Sequence, residues 1–240
     1  GAKVDASNYT VSGTQRATNV GSYSIKVTMK GNYTGEKKLS WNIKAPAKGK
    51  SFTVSKMKYE ITAAVNSKGK GGEVALTGTT DGSLKKLSVG KSVKIGGQTY
   101  SVTSIGASAF KGHKKITSVR LPDSVTTIGK NSFAKCTNLT NVTIGKNVTA
   151  LADAAFSGCT KLSSVTVNST ALKSIGKKAF NGDKKLTSLT FKSSKIKTVG
   201  SKAFTGLTKK AKIKVPSSKV KSYKKLFLKA GLNKKASVSK

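Results

Sequence analysis

Ser104-Ile105-Gly106-Ala107-Ser108-Ala109-Phe110-Lys111-Gly112 and Thr127-Ile128-Gly129-Lys130-Asn131-Ser132-Phe133-Ala134-Lys135 are two readings of one phrase, an aliphatic residue, a glycine and a phenylalanine keeping fixed places. The phrase returns three more times, so that Phe110, Phe133, Phe156, Phe180 and Phe204 stand 23, 23, 24 and 24 residues apart. A unit of this length cannot bury its own apolar face, and such units stack into a solenoid. A solenoid presents an extended surface, which suits binding better than catalysis.

Five positions before each phenylalanine stand Ile105, Ile128, Leu151, Ile175 and Val199, followed by Gly106, Gly129, Ala152, Gly176 and Gly200. Ala109, Ser132, Ala155, Ala179 and Ala203 immediately precede the rings. Apolar residues at i, i+4 and i+5 predict about one turn of helix laid on a core, with glycine or alanine where coils approach closely. Six, nine and eleven residues after each ring come Ile116, Val119, Leu121; Leu139, Val142, Ile144; Leu162, Val165, Val167; and Leu186, Leu189, Phe191. This L-x-x-L-x-L spacing is the strand phrase of a leucine-rich repeat. The last coil weakens to Lys210, Ile213 and Val215, as a terminal coil should. Another apolar column, Val102, Val125, Val148, Leu172, Ile196 and Val220, precedes each turn, and the additional residue of the longer repeats falls between strand and this column.

The ends read differently. In Ser217-Ser218-Lys219-Val220-Lys221-Ser222-Tyr223-Lys224-Lys225-Leu226-Phe227, the residues Val220, Tyr223, Phe227 and Ala230 share one helical face and Gly231 is a stop signal. A C-terminal capping helix is predicted, with Tyr223 in the isoleucine slot and Leu228 in the phenylalanine slot. Upstream, Phe52 to Tyr100 is rich in Val, Thr, Ile and Gly, with turn signals at Lys68 to Gly72, Asp81-Gly82 and Gly96-Gly97. That is a set of strands forming an N-terminal cap. Residues 1–44 carry strand phrases of their own around Tyr9, Tyr23 and Trp41, and suit a small β-sandwich. The expected class is mainly β with short helices: an Ig-like β module over 1–45, a linker over 46–51, a β cap over 52–101, about five repeat coils over 102–221, and a helical cap and tail over 222–240.

Lysine dominates the charge: 46 basic residues include only two arginines, Arg16 and Arg120, against 8 acids, for a formal net charge of +38. Such a surface draws polyanions and also keeps an extended protein soluble. Lysine is a hydrated point charge, better at diffuse attraction than at base readout, and exposed stacking aromatics are lacking, which argues against nucleic acid. No run of 18 apolar residues predicts a membrane span. The opening Gly1-Ala2-Lys3 lacks a signal-peptide pattern and reads as an excised fragment. Cys136 and Cys159, one repeat apart, occupy the same slot of adjacent coils. Parallel side chains at a strand spacing of roughly 4.8 Å hold their Cβ atoms too far apart for an easy disulfide, so two buried thiols are expected.

Catalytic chemistry finds no support. His113 shares the cysteine slot and has no partner for general base work nearby, no Gly-x-Ser-x-Gly or His-Glu-x-x-His phrase occurs, and the acids are dispersed. One histidine and two core cysteines do not make a metal site, and neither a cofactor nor a metal is expected. Lys68-Gly69-Lys70-Gly71-Gly72 lacks Walker spacing and reads as a hairpin turn. The candidate binding face is the outward side of the strands, where alternation exposes Ser118, Arg120, Asn141, Thr143, Ser164, Thr166, Ser188, Thr190, Lys212 and Lys214. This is a flat row of hydroxyls with cations at each end, equally readable as a solubilising surface.

The phrases Ser104-Ile105-Gly106…Ala109-Phe110-Lys111-Gly112, Thr127-Ile128-Gly129…Phe133-Ala134-Lys135-Cys136 and Ser174-Ile175-Gly176…Ala179-Phe180-Asn181-Gly182 resemble the BspA-type leucine-rich repeats of bacterial surface proteins over roughly residues 93–232. His113, Asp183 and Leu207 depart from that pattern at the cysteine slot. Thr18-Asn19-Val20-Gly21-Ser22-Tyr23 and Gly31-Asn32-Tyr33-Thr34-Gly35 are similar to Ig-like modules that space such domains from the cell wall. The resemblance implies an exported, non-enzymatic adhesin at the bacterial surface, binding a host or cell-surface protein. An anionic polymer held by distributed lysines is the alternative partner, and a monomer is expected.

Overall fold

The computed structural model describes residues 5–15, 21–32, 34–66 and 68–240. The opening Gly1-Ala2-Lys3, Arg16, the Thr18-Asn19-Val20 part of the Ig-like phrase and Tyr33 lie outside them. The first three strands, β1 (Tyr9–Gly13), β2 (Gly21–Met29) and β3 (Glu36–Ile43), form one antiparallel sheet in the order β1-β2-β3. Tyr23 faces Trp41 across β2 and β3, the rings stacked with centroids 5.9 Å apart. Among the described residues of this module none is buried, and the second sheet that would make a sandwich is not among them.

From residue 51 onward the chain winds into a solenoid of about seven turns. It starts with β4 (Ser51–Val54), β5 (Met57–Ala63), β6 (Gly72–Thr79), β7 (Lys86–Ser88), β8 (Ser92–Ile95) and β9 (Gln98–Ile105). Each coil then adds a three- or four-residue strand and a two-residue strand: β10 (Ser118–Arg120) and β11 (Thr127–Ile128), β12 (Asn141–Ile144) and β13 (Ala150–Leu151), β14 (Ser164–Val167) and β15 (Ser174–Ile175), β16 (Ser188–Phe191) and β17 (Thr198–Val199). After β18 (Lys212–Lys214) come α1 (Val220–Lys229) and β19 (Ser237–Ser239). The longer strands make a parallel sheet ordered β7-β10-β12-β14-β16-β18-β19, and the short ones extend a second sheet, β4-β5-β6-β9-β11-β13-β15-β17, with β8 on β9.

The apolar columns close on one another between the two sheets. Val119, Val142, Val165, Leu189 and Ile213 lie in register and at most 2% exposed. Phe110, Phe133, Phe156, Phe180 and Phe204 stack ring on ring, with centroids 5.4, 5.4, 5.6 and 5.9 Å apart and planes within 6° of parallel. Near-parallel offset rings at this spacing add attraction to the area they bury.

The short helices predicted at the start of each repeat are absent; the only α-helix among the described residues is α1. The phrase instead folds as consecutive turns, with Ser108, Asn131, Ala154, Lys178 and Lys202 all at φ between 53° and 59°. Alternate amides therefore point along the solenoid axis. Asn131, Phe133 and Lys135 donate to the carbonyls of Asp153, Ala155 and Ser157 in the next coil, while Ser132, Ala134 and Cys136 close turns on Gly129, Asn131 and Phe133. A single helical turn would direct its amides around the coil and leave this side without hydrogen bonds between coils. The ladder so formed offsets the roughly 1–2 kcal/mol that a left-handed non-glycine residue costs.

Both ends of the long-strand sheet run past the predicted coils. Leu84, Leu87 and Val89 repeat the L-x-x-L-x-L phrase within the segment expected to form a β cap, and Leu87 pairs in register with Val119. At the other end Val238 pairs with Ile213, so the tail contributes a seventh strand. Helix α1 buries Tyr223 and Phe227, and Ala230 is buried just past its end, whereas Val220 of the same predicted face is half-buried. However, Phe227 and not Leu228 continues the ring column, meeting Phe204 edge-on at 4.9 Å, because a helix replaces the paired turns and shifts the register by one.

Candidate binding face

In every strand of the long sheet the second residue points inward, which turns its neighbours outward. The register aligns these outward residues into two columns. One runs Lys86, Ser118, Asn141, Ser164, Ser188, Lys212, Ser237, and the other Ser88, Arg120, Thr143, Thr166, Thr190, Lys214, Ser239. All ten residues predicted from alternation are thus brought onto one surface. Lys86, Ser88, Ser237 and Ser239 belong to it as well. The first pair was missed because 32 residues separate Leu87 from Val119, the hairpin of β8 and β9 lengthening that coil; the second lies beyond the helix. With neighbouring strands roughly 4.8 Å apart, the face is about 29 Å long.

Hydroxyls beside this face and hydroxyls on it have different partners. Thr117, Thr140, Ser163 and Thr187, one position earlier in the chain than the first column, each donate to a carbonyl of the preceding coil: Lys85, Thr117, Thr140 and Ser163, at 3.0, 2.9, 3.1 and 3.4 Å. Ser118, Thr143, Ser164, Thr166, Ser188 and Thr190 have no side-chain hydrogen bond to any described residue. Their donors and acceptors are available to a ligand.

Neither column holds a carboxylate, although Asp123 stands just past the strand end of Arg120. Residues 102–240 hold three acids, and each accepts a backbone N–H from an adjacent coil: Asp123 from Lys146 at 2.8 Å, Asp153 from Lys177 at 2.7 Å, and Asp183 from Cys159 at 2.8 Å. Asp183 is fully buried in the cysteine slot, and desolvation pushes its pKa well above the usual carboxylate range. The same burial lifts the Cys136 thiol to about 12 and Cys159 further still. Both cysteines are free thiols, donating to the carbonyls of Phe110 and Phe133 at 3.0 and 3.1 Å. A thiol so protonated and enclosed is a structural group. His113 is half-buried with Nε2 3.1 Å from the carbonyl of Asp81, and among the described residues no group of three metal-ligating side chains converges.

The sequence profile of the BspA type leucine rich repeat region matches residues 101–233 in six copies. A leucine-rich repeat protein from Bacteroides ovatus superimposes with a TM-score of 0.52 at 24% identity, over 69% of this chain and 47% of that one. The T. pallidum leucine-rich repeat protein gives a TM-score of 0.52 at 23% identity, over 61% of this chain and 65% of that one. A leucine rich cell surface protein from Faecalibacterium prausnitzii is 22% identical over 69% of this chain and 45% of that one, with a TM-score of 0.42. This chain therefore spans less than two thirds of each of these structures. The curated proteins offer no match. No helix among the described residues is long and apolar enough to cross a membrane. With the repeat profile covering more than half its length, the chain belongs to the BspA-type leucine-rich-repeat family.

Proposed function

We propose that this chain is a non-enzymatic binding module of an exported bacterial surface protein, acting as a monomer and holding an extended protein ligand on the outward face of the long-strand sheet. The observation that carries this reading is the row of uncommitted hydroxyls, Ser118, Thr143, Ser164, Thr166, Ser188 and Thr190, beside an otherwise identical row consumed by the fold. Family membership supports the surface location and the role in adhesion. The three-stranded sheet of residues 9–43 is proposed as part of an Ig-like spacer.

The test is adhesion of the whole chain to immobilised extracellular-matrix proteins and to intact cells. A Ser164→Tyr/Thr166→Tyr variant should lose retention while keeping its melting temperature, because both residues point to solvent. Unchanged retention would remove the face from consideration.

A second reading is favoured by the lysines. At one equivalent position Lys115, Lys161, Lys185 and Lys209 are exposed, with Asn138 taking that place in the coil between the first two, and among the described residues only Lys26 with Glu36 and Lys146 with Asp123 form ion pairs. A cationic anchor for cell-wall or other polyanions would use them. Its retention would fall steeply between 0.1 and 0.5 M salt, roughly halving the screening length, whereas a shape-matched protein ligand would resist.

A further inference from the structure

Beyond the ends of the long-sheet strands the chain turns away, and the residues just after each strand define a trough along the sheet's rim. At its first end lies a cavity of about 380 Å³, lined by Gly90, Lys91, Arg120, Pro122, Gly145 and Asn168 among others. Gly90, Pro122, Gly145 and Asn168 follow the strands at equivalent positions, so two glycines without side chains and a short proline leave the space open. Toward the other end a second cavity of about 470 Å³ is lined by Phe191, Lys192, Val215 and Pro216. The first is polar and lined by two cations, Lys91 and Arg120, and one acid, Asp123; the second has an apolar floor with lysine stems around it.

Arg120 stands out at the basic end. Lysine supplies nearly all the positive charge of this chain, yet of the three outward residues bordering the first cavity, Ser88, Arg120 and Thr143, the charged one is an arginine. Its guanidinium has no hydrogen-bond or ion-pair partner among the described residues. The Asp123 carboxylate, which lines the same cavity, is engaged by the amide of Lys146 and approached by that residue's ammonium at 4.0 Å. The fork of a guanidinium matches a carboxylate through two parallel bonds, which an ammonium cannot do.

We infer that this trough receives an extended acidic peptide segment, with a carboxylate on Arg120 and Lys91 and an apolar side chain in the cavity at Val215 and Pro216. The inference rests on the protein-binding reading of the face and names its ligand. Arg120 and Lys214 belong to strands four spacings apart in register, about 19 Å. An extended chain covers about 3.3 Å per residue, so the two anchors stand roughly six residues apart. Between them, the free hydroxyls of Thr143 and Thr166 and the amide of Asn168 meet the peptide's polar groups. A phosphate polymer would satisfy the cations but has nothing for the apolar cavity.

The test uses the whole chain and a labelled octapeptide carrying glutamate at its first position, leucine at its seventh and serine or threonine between. Fluorescence anisotropy should show binding that weakens about tenfold or more for Arg120→Gln, and also when the peptide's glutamate becomes glutamine or its leucine becomes serine. Arg120→Lys should recover only part of the loss. Peptide titration should shift the amide resonances of Gly90 and Gly145. No peptide binding, or equal binding by wild type and Arg120→Gln, overturns the inference; so does binding of inorganic polyphosphate alone, which would support the polyanion reading. Adhesion to matrix proteins lost with Ser164→Tyr/Thr166→Tyr but kept with Arg120→Gln would leave the face standing and reject the trough.

Discussion

The turn side of each coil and its strand side are built from the same kinds of residue and reach opposite states. On the turn side, aromatic rings stack in the core, amides pair from coil to coil and Asp183 is used to accept a backbone N–H. On the strand side the inward residues are equally buried, but the outward ones make few bonds within the protein. Thr140 and Asn141, Ser163 and Ser164, or Thr187 and Ser188 are chain neighbours of similar chemistry, separated by which way the strand points them. Polarity alone therefore does not mark a binding residue; a polar group without an internal partner does.

That contrast can be broken most strongly at the ring column. Phe156 is fully buried between two stacked rings, so Phe156→Ala should cost about 3–5 kcal/mol in chemical denaturation. A Cβ at Gly176 would lie 2.5 Å from the carbonyl carbon of Ala152, and Gly176→Ala should cost about 1–3 kcal/mol, read as a lower denaturation midpoint with an unchanged slope.

A pH titration probes the same side. Because the folded pKa of Asp183 is raised, its proton stabilises the fold fully below the unfolded value near 3.8, and that contribution is lost as pH rises through the folded pKa. Melting temperature should thus carry a component that declines upward from about pH 4, and Asp183→Asn should flatten it. A profile identical to wild type would contradict the buried neutral acid.

Smaller effects belong to the strand side. Thr140→Val removes a rim hydroxyl bonded to Thr117 and should cost about 1 kcal/mol by thermal unfolding. Ser164→Ala, one column outward in the neighbouring coil, should change stability by no more than about 0.5 kcal/mol while reducing ligand retention. Equal destabilisation by the two substitutions would erase the distinction between rim and face.

The N-terminal sheet extends the comparison. Its described residues bury nothing, although β2 and β3 pair over eight positions, whereas the two-residue strands of the solenoid bury Ile128, Leu151 and Ile175 and half-bury Val199 on a closed core. Strand length does not decide burial; the presence of a second layer does.

Much of the solenoid was legible before its structure. The ring column, the strand phrases and the ten outward residues from Ser118 to Lys214 follow from spacing, since a stacked coil admits insertions only in its turns. The left-handed turns were not legible, because Ser108, Asn131, Ala154, Lys178 and Lys202 share no chemistry. Their conformation is imposed by hydrogen bonds to the next coil. The strands at Leu87 and Val238 escaped for a related reason: a hairpin and a helix interrupt the period without interrupting the sheet.

By itself, then, the sequence determined the stacking unit, its buried columns and the side on which function could lie, because periodic burial is a local pattern repeated. Which hydroxyls stay free, where Arg120 finds an open cavity and which slot receives an enclosed aspartate were decided by tertiary structure. Those properties depend on what the adjacent coil offers across some 4.8 Å of space, a neighbour 23 or 24 residues away along the chain.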